Sequence, residues 1–195
     1  MVTVCQRCEM VREVPISKLP NPFKDIKESD YFYTPVLWVV SKGITTGTSA
    51  TTFSPNSPAL RAQIVTFLWR AAGCPEPSAT QNPFVDVSKS DYYYKAVLWA
   101  VESGITNGTD ATHFSPLRVC SRCEVVTFLY RAFGQPPVET RESPFSDVAS
   151  NSWFAAPVLW AVSEGITTGL TPTTFAPHSR CTRSQIATFL YRAYA

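Results

Sequence analysis

Three arginines, Arg61, Arg122 and Arg183, occupy the same place in a recurring stretch: Leu60-Arg61-Ala62-Gln63, Ser121-Arg122-Cys123-Glu124 and Thr182-Arg183-Ser184-Gln185. Each stretch opens an apolar run, such as Ile186-Ala187-Thr188-Phe189-Leu190-Tyr191, whose pattern predicts a helix. A guanidinium is a permanently charged planar fork suited to gripping a carboxylate or phosphate through paired N–H donors. Placed in the first turn of a helix, whose free backbone N–H groups also favour negative charge, it predicts anion capture. Three such places describe a repeated binding site rather than one catalytic centre. The other reading is that each arginine bonds a neighbouring loop carbonyl or carboxylate and fixes an interface between repeats.

Elements that could position these arginines recur with them. Phe23, Phe84 and Phe145 are spaced by 61 residues, as are Trp38, Trp99 and Trp160, Gly43, Gly104 and Gly165, and Phe53, Phe114 and Phe175. Such self-similarity marks a repeat architecture. The repeats span residues 22–73, 83–134 and 144–195, with Pro-, Ser-, Thr- and Glu-rich joints at 74–82 and 135–143. Within the third, Trp153 to Glu164 predicts a helix that Gly165 ends in a left-handed conformation. A turn-rich loop follows, which Ile166 and Phe175 pin to the core. Thr182 with Gln185, and Ser121 with Glu124, read as capping boxes opening the second helix. Leu60 lacks the capping hydroxyl, so the helix start after it is expected to be the least well defined.

One helix-loop-helix unit of this size cannot bury both its helices, and neighbouring units must close the core. The second helices are apolar on too many sides for a surface position. They are expected at the centre of an all-α fold in which three helix-loop-helix repeats form one domain of pseudo-threefold symmetry. Trp38, Trp99 and Trp160, inside the first helices, read as packing.

Composition narrows the function. The 195 residues carry 17 basic and 15 acidic side chains, without the clustered Lys and Arg that nucleic acid requires. No apolar stretch reaches the ~18 residues of a membrane span, and the first residues show no signal peptide pattern. No nucleic-acid partner and no membrane insertion are therefore expected. The two histidines, His113 and His178, fall at non-equivalent places, and neither a phosphate loop nor a nucleophile elbow is present. We read no catalytic residues, no cofactor and no enzyme activity.

The six cysteines include two C-x-x-C pairs. Cys5-Gln6-Arg7-Cys8-Glu9 mirrors Cys120-Ser121-Arg122-Cys123-Glu124, so residues 1–21 read as the remnant of a preceding repeat. Zinc is the alternative use of such pairs. The shared repeat position and the wide separation of the two pairs speak against it, and no metal site is assigned. Disulfides and free thiols both stay open.

The motif set resembles the S-layer homology repeat of bacterial surface proteins. It comprises Phe145-Ser146-Asp147-Val148, Trp153, Gly165-Ile166 with Gly169, Phe175-Ala176-Pro177 and Thr182-Arg183-Ser184-Gln185. Matching sets in the second repeat run from Phe84-Val85-Asp86-Val87 through Gly104-Ile105 and Gly108 to Ser121-Arg122-Cys123-Glu124. Those in the first run from Phe23-Lys24-Asp25-Ile26 through Gly43-Ile44 and Gly47 to Arg61-Ala62-Gln63. The resemblance implies a spindle-like helical module at the cell surface, anchoring a longer chain with further domains to the cell wall. The implied partner is a secondary cell-wall polysaccharide bearing ketal-linked pyruvate, bound in grooves between repeats. Arg61, Arg122 and Arg183 would meet the pyruvate carboxylate, with Tyr31, Tyr92 and Trp153 at the family's Trp position and Asp25, Asp86 and Asp147 nearby. Gly47, Gly108 and Gly169, with Gln63, Glu124 and Gln185, complete the implied ligand-binding set. Tyr31 and Tyr92 depart from the family's Trp, and Gln63 and Gln185 from its Glu. Read without the resemblance, the three aspartates are turn or cap residues. A protein-binding scaffold and an accessory module of a cell-wall enzyme are the competing functions.

Overall fold

The computed structural model describes residues 2–4, 11–13, 19–79, 81–139 and 142–195. Near the N-terminus, strands β1 (Val2–Val4) and β2 (Val11–Glu13) form an antiparallel pair with Val2 opposite Glu13. Of the repeat remnant expected over residues 1–21, the motif Cys5 to Glu9 that suggested it lies outside the described residues. Among the described residues from 22 onward there are helices, turns and loops with a few isolated bridges and no strand, so the domain is all-α, as the pattern predicts.

Each repeat supplies two helices. They are α1 (Tyr33–Ser41) and α2 (Arg61–Ala71), α3 (Tyr94–Glu102) and α4 (Arg122–Ala132), and α5 (Ala155–Ser163) and α6 (Arg183–Tyr194). The first helices are shorter than expected: α5 starts after Trp153, which stays outside it. Each stops at a glycine with φ near +70°, and Gly165 is at +68°. That left-handed turn is open to glycine because it has no Cβ.

The main helix contacts are between repeats. The first helix of one repeat lies on the second helix of the repeat before it: α3 on α2, α5 on α4, and α1 on α6. The last pairing closes the ring, with Trp38 edge-on to Tyr191 at 5.7 Å between centroids. Trp160 packs on Tyr130 and Phe133 with its ring tilted to both. The three tryptophans of the first helices are thus packing residues, as expected. The second helices meet at the centre, where Ile64, Leu68, Val125, Leu129, Ile186 and Leu190 are fully buried.

A ring of backbone hydrogen bonds runs around the pseudo-threefold axis. Ala59 N–H donates to Cys181 O, Cys181 N–H to Cys120 O and Cys120 N–H to Ala59 O, at 2.8, 3.0 and 3.0 Å. Equivalent positions of the repeats therefore converge here, and Cys120 and Cys181 are both fully buried. Burial pushes each thiol pKa up to about 12, so both stay protonated.

Helix α2 begins as sharply as its counterparts despite Leu60. The reason is tertiary. Arg61 N–H donates to Arg118 O and Ala62 N–H to Pro116 O, both at 3.0 Å, so the next repeat's loop caps the helix. The same bonds recur from Arg122 and Cys123 to Ser179 and Pro177, and from Arg183 and Ser184 to Ser57 and Pro55. Gln63 Oε1 supplies the local half of the box by accepting from Leu60 N–H at 3.1 Å.

Candidate ligand grooves between repeats

These caps correct one expectation about the arginines. The first two amides of each second helix are engaged by a neighbouring loop and are not available to an anion. What remains to meet an anion is the guanidinium itself.

Each arginine is buried, at 3% exposure, and reaches into the following repeat. Arg61 Nε donates to Phe114 O at 2.9 Å, Arg122 Nε to Phe175 O at 2.9 Å and Arg183 Nε to Phe53 O at 3.0 Å. The guanidinium lies over two rings of the repeat it enters: Arg61 over Phe114 and Phe128, Arg122 over Phe175 and Phe189, Arg183 over Phe53 and Phe67. Cation–π attraction at these sites adds to the hydrogen bond. The interface-fixing reading is therefore met at Nε. Burial lowers the pKa of all three, yet an arginine side chain keeps its charge in a protein.

The acceptor carbonyl is itself held in place. Asp25 takes the N–H of Phe53 and of Ser54 at 2.8 and 2.7 Å, one on each oxygen. Asp86 holds Phe114 and Ser115, and Asp147 holds Phe175 and Ala176, at 2.7 to 2.9 Å. The residues after these phenylalanines are left-handed without being glycine, with Ser54, Ser115 and Ala176 at φ 59°, 58° and 58°. Two charge-assisted bonds offset the strain of that conformation. The aspartates thus position the loop, in line with the turn reading.

Gly47, Gly108 and Gly169 have a packing reason for being glycine. At Gly108, φ is +86° and a Cβ would sit 2.5 Å from the Phe84 ring. Gly108 also lines the cleft beside Arg61.

In each case the aromatic comes from the repeat that supplies neither the arginine nor the loop. Trp153 lines the same cleft of about 280 Å³ as Arg61, Thr106 and Glu124. Tyr31 is an ionisable neighbour of Arg122, and Tyr92 of Arg183. All three rings stand out into solvent, at 65% for Tyr31, 62% for Tyr92 and 61% for Trp153. Every groove is therefore composite: an arginine from one repeat, a loop from the next, an aromatic from the one after.

Sequence reasoning passed over several groove residues. Phe53, Phe114 and Phe175 read as core anchors, although their carbonyls and rings receive the arginines. Thr45, Thr106 and Thr167 recur at the same spacing, and Thr106 Oγ1 accepts from Arg61 Nη2 at 3.3 Å. That recurrence was the available signal. Arg118, which bonds Glu124, recurs nowhere and left none.

The guanidinium groups are not equally satisfied. Arg61 has partners for Nε and Nη2, and Glu124 lies 3.8 Å from its Nη1. The Nη2 atoms of Arg122 and Arg183 are buried without a hydrogen-bond partner among the described residues. A buried donor in that condition is costly unless something else fills the place.

Comparison with known proteins agrees with this register. The family model described as S-layer homology domain matches residues 22–65, 83–125 and 144–187. An endoglucanase of Bacillus sp. (strain KSM-635) is 32% identical over 177 residues, covering 85% of this chain and 18% of that protein. A surface-layer 125 kDa protein of Lysinibacillus sphaericus is 32% identical over 120 residues, 60% of this chain and 10% of its own length. An amylopullulanase of Thermoanaerobacterium thermosulfurigenes is 29% identical over 175 residues, 87% of this chain and 9% of its own. The chain spans less than a fifth of each of these relatives. With all three of its repeats matched in register, the chain belongs to the S-layer homology domain family, whose members are non-catalytic modules that anchor proteins to the bacterial cell wall.

Proposed function

We propose that the module binds an anionic secondary cell-wall polysaccharide in its inter-repeat grooves and thereby holds a longer protein at the cell surface. The ligand group is a ketal-linked pyruvate. Its carboxylate meets the buried guanidinium, while the sugar ring lies against the exposed aromatic. The observation that carries this reading is the pair of buried, unpartnered Nη2 donors at Arg122 and Arg183. An acceptor oxygen delivered by a ligand relieves the cost of leaving them unmet. The exposed rings of Tyr31, Tyr92 and Trp153 support it further, since each leans edge-on against one neighbouring aromatic and leaves most of its surface open to a ligand.

The arginine Nε bonds favour a second reading, a protein-binding scaffold in which the arginines only fix the interfaces. Variants of the exposed aromatics separate the two, because these rings are mostly in solvent and take no part in the arginine bonds that fix the interfaces. Sedimentation with cell-wall sacculi should fall for Tyr31→Ala, Tyr92→Ala or Trp153→Ala, and vanish when the attached polysaccharide is stripped from the sacculi. Unchanged sedimentation of all three folded variants would overturn the glycan reading and leave the scaffold.

A further inference from the structure

We propose that the groove at Arg61 continues past Trp153 into a second anion subsite, built by Arg118, His178 and Arg180, which takes a further carboxylate of the same glycan chain. The other two grooves lack it. This rests on the groove reading above.

Trp153 and Glu124 wall two clefts, not one. The first, of about 280 Å³, holds Arg61 and Thr106. The second, of about 480 Å³, is lined by Arg118, His178 and Arg180 beside the buried Cys120 and Cys123. Because the two clefts share the indole, a glycan that stacks one sugar on Trp153 with its carboxylate at Arg61 has the larger cleft open to the next sugar.

Charge distinguishes this second cleft. Its thiols are neutral, since burial raises the pKa of Cys120 to about 12 and that of Cys123 above its ordinary value. The one acid in its wall, Glu124, is already engaged. It accepts from Ser121 N–H at 2.9 Å and takes both terminal nitrogens of Arg118, one on each oxygen. Burial works against its ionisation, but the bonds from Arg118 and Ser121 outweigh burial and hold its carboxyl below the ordinary value. Arg118 and Glu124 therefore offset each other, and the pair holds Arg118 in place with part of its five-donor fork unused. Arg180 forms no ion pair among the described residues, so the cleft keeps one uncompensated positive charge. His178 adds a ring N–H in either tautomer. It stands edge-on to Phe154 at 5.6 Å between centroids, and Phe154 is edge-on to Trp153, so one aromatic wall runs from the stacking ring to the imidazole.

None of this repeats. At the places equivalent to Arg118, His178 and Arg180, the Tyr92 groove has Ser57, Leu117 and Val119, and the Tyr31 groove has Ser179, Asn56 and Pro58. The three basic side chains come from two repeats and from three different positions of the unit, yet the fold gathers them in one cleft. All three are exposed, so water screens them and the gain from a second carboxylate is modest.

Nuclear magnetic resonance reads the grooves one at a time, through the buried, hydrogen-bonded Nε–H of Arg61, Arg122 and Arg183. The probe is a disaccharide with a pyruvate ketal on both sugars, compared with the same disaccharide bearing one of its two carboxylates as a methyl ester. Any advantage that the diacid has from its doubled chance of entry is common to all three grooves. Beyond it, the diacid should bind at Arg61 roughly threefold to tenfold more tightly than the mono-ester, as partly exposed ion pairs allow. Arg180→Val together with His178→Asn, exposed substitutions that install side chains found at these places in the other repeats, should bring the Arg61 ratio down to that at Arg122 and Arg183. An Arg61 ratio no larger than the other two in the wild type, one that survives the double substitution, or an Arg61 signal that stays silent while the others respond would overturn the subsite and leave the groove reading standing. No response at any arginine to either glycan would remove the groove reading and the subsite with it.

Discussion

The inner interface and the outer rim of the grooves obey different rules. At the interface the three repeats are interchangeable. Arginine Nε meets a phenylalanine carbonyl at 2.9, 2.9 and 3.0 Å, and the aspartate clamps lie between 2.7 and 2.9 Å in every copy. At the rim they diverge: Tyr31, Tyr92 and Trp153, Gln63, Glu124 and Gln185, Ser57, Arg118 and Ser179. The contrast follows from ring closure. A change in the shape of one interface alters the angle that the other two must absorb, because cores are packed too densely to yield. A rim side chain touches one groove and can change alone.

Substitutions of the buried phenylalanines test the interchangeable half most severely. Phe114 is fully buried, lies under Arg61, accepts its Nε–H and gives its own N–H to Asp86. Phe114→Ala should cost about 3–5 kcal/mol in urea unfolding. Phe53→Ala and Phe175→Ala should match it within about 1 kcal/mol if the interfaces are truly equivalent. A larger spread would break the comparison.

The clamps come next. Asp86→Ala leaves two loop amides without their acceptor and should destabilise by roughly 2 kcal/mol. Asp25→Ala and Asp147→Ala are expected to do the same, as measured by thermal or urea unfolding.

Acid titration then probes the rim. Glu124 has its folded carboxyl below the ordinary value, so the ionised group favours folding above that value. The contribution disappears as pH falls below the ordinary range towards the folded value. Glu124→Gln should remove that part of the acid dependence while changing neutral-pH stability by less than about 1 kcal/mol, as for other partly exposed ion pairs. Stability curves measured from neutral to acid pH for both proteins decide it.

A comparably small effect is expected at the axis. Ala59 already occupies the place that Cys120 and Cys181 fill, and the ring there is made by backbone groups. Cys120→Ala should therefore cost only about 1 kcal/mol. In the folded protein exposed Cys74 should be alkylated at pH 8, while Cys120 and Cys181, raised to about 12, react only after denaturation. Mass spectrometry of the labelled peptides distinguishes them.

Much of this was legible in the chain. The spacing of Phe23, Phe84 and Phe145 delimited the repeats, the apolar patterns located both helices of each, and Gly165 marked a helix end that the structure places at φ +68°. The arginines stood out because nothing else charged recurs with them at a helix start. Two local arguments went astray. The start at Leu60 looked weak because a missing hydroxyl is visible in sequence and a neighbour's carbonyl is not. The first-turn amides looked free for the same reason.

What the sequence determined by itself is the unit: its period, its helices, its turns and the residue types at each groove position. Those are set by local propensity and by periodic burial, which act over a few residues. Only the tertiary structure decided which parts belong together. Arg183 bonds a carbonyl 130 residues away, Trp153 shares a cleft with Arg61, and Glu124 opposes an arginine of another repeat. A strict repeat is silent on this point, because identical spacing permits an arginine to meet its own loop or either neighbour's. Closing three units into a ring, so that every helix finds an apolar partner, removes that ambiguity and sets the charge of each groove.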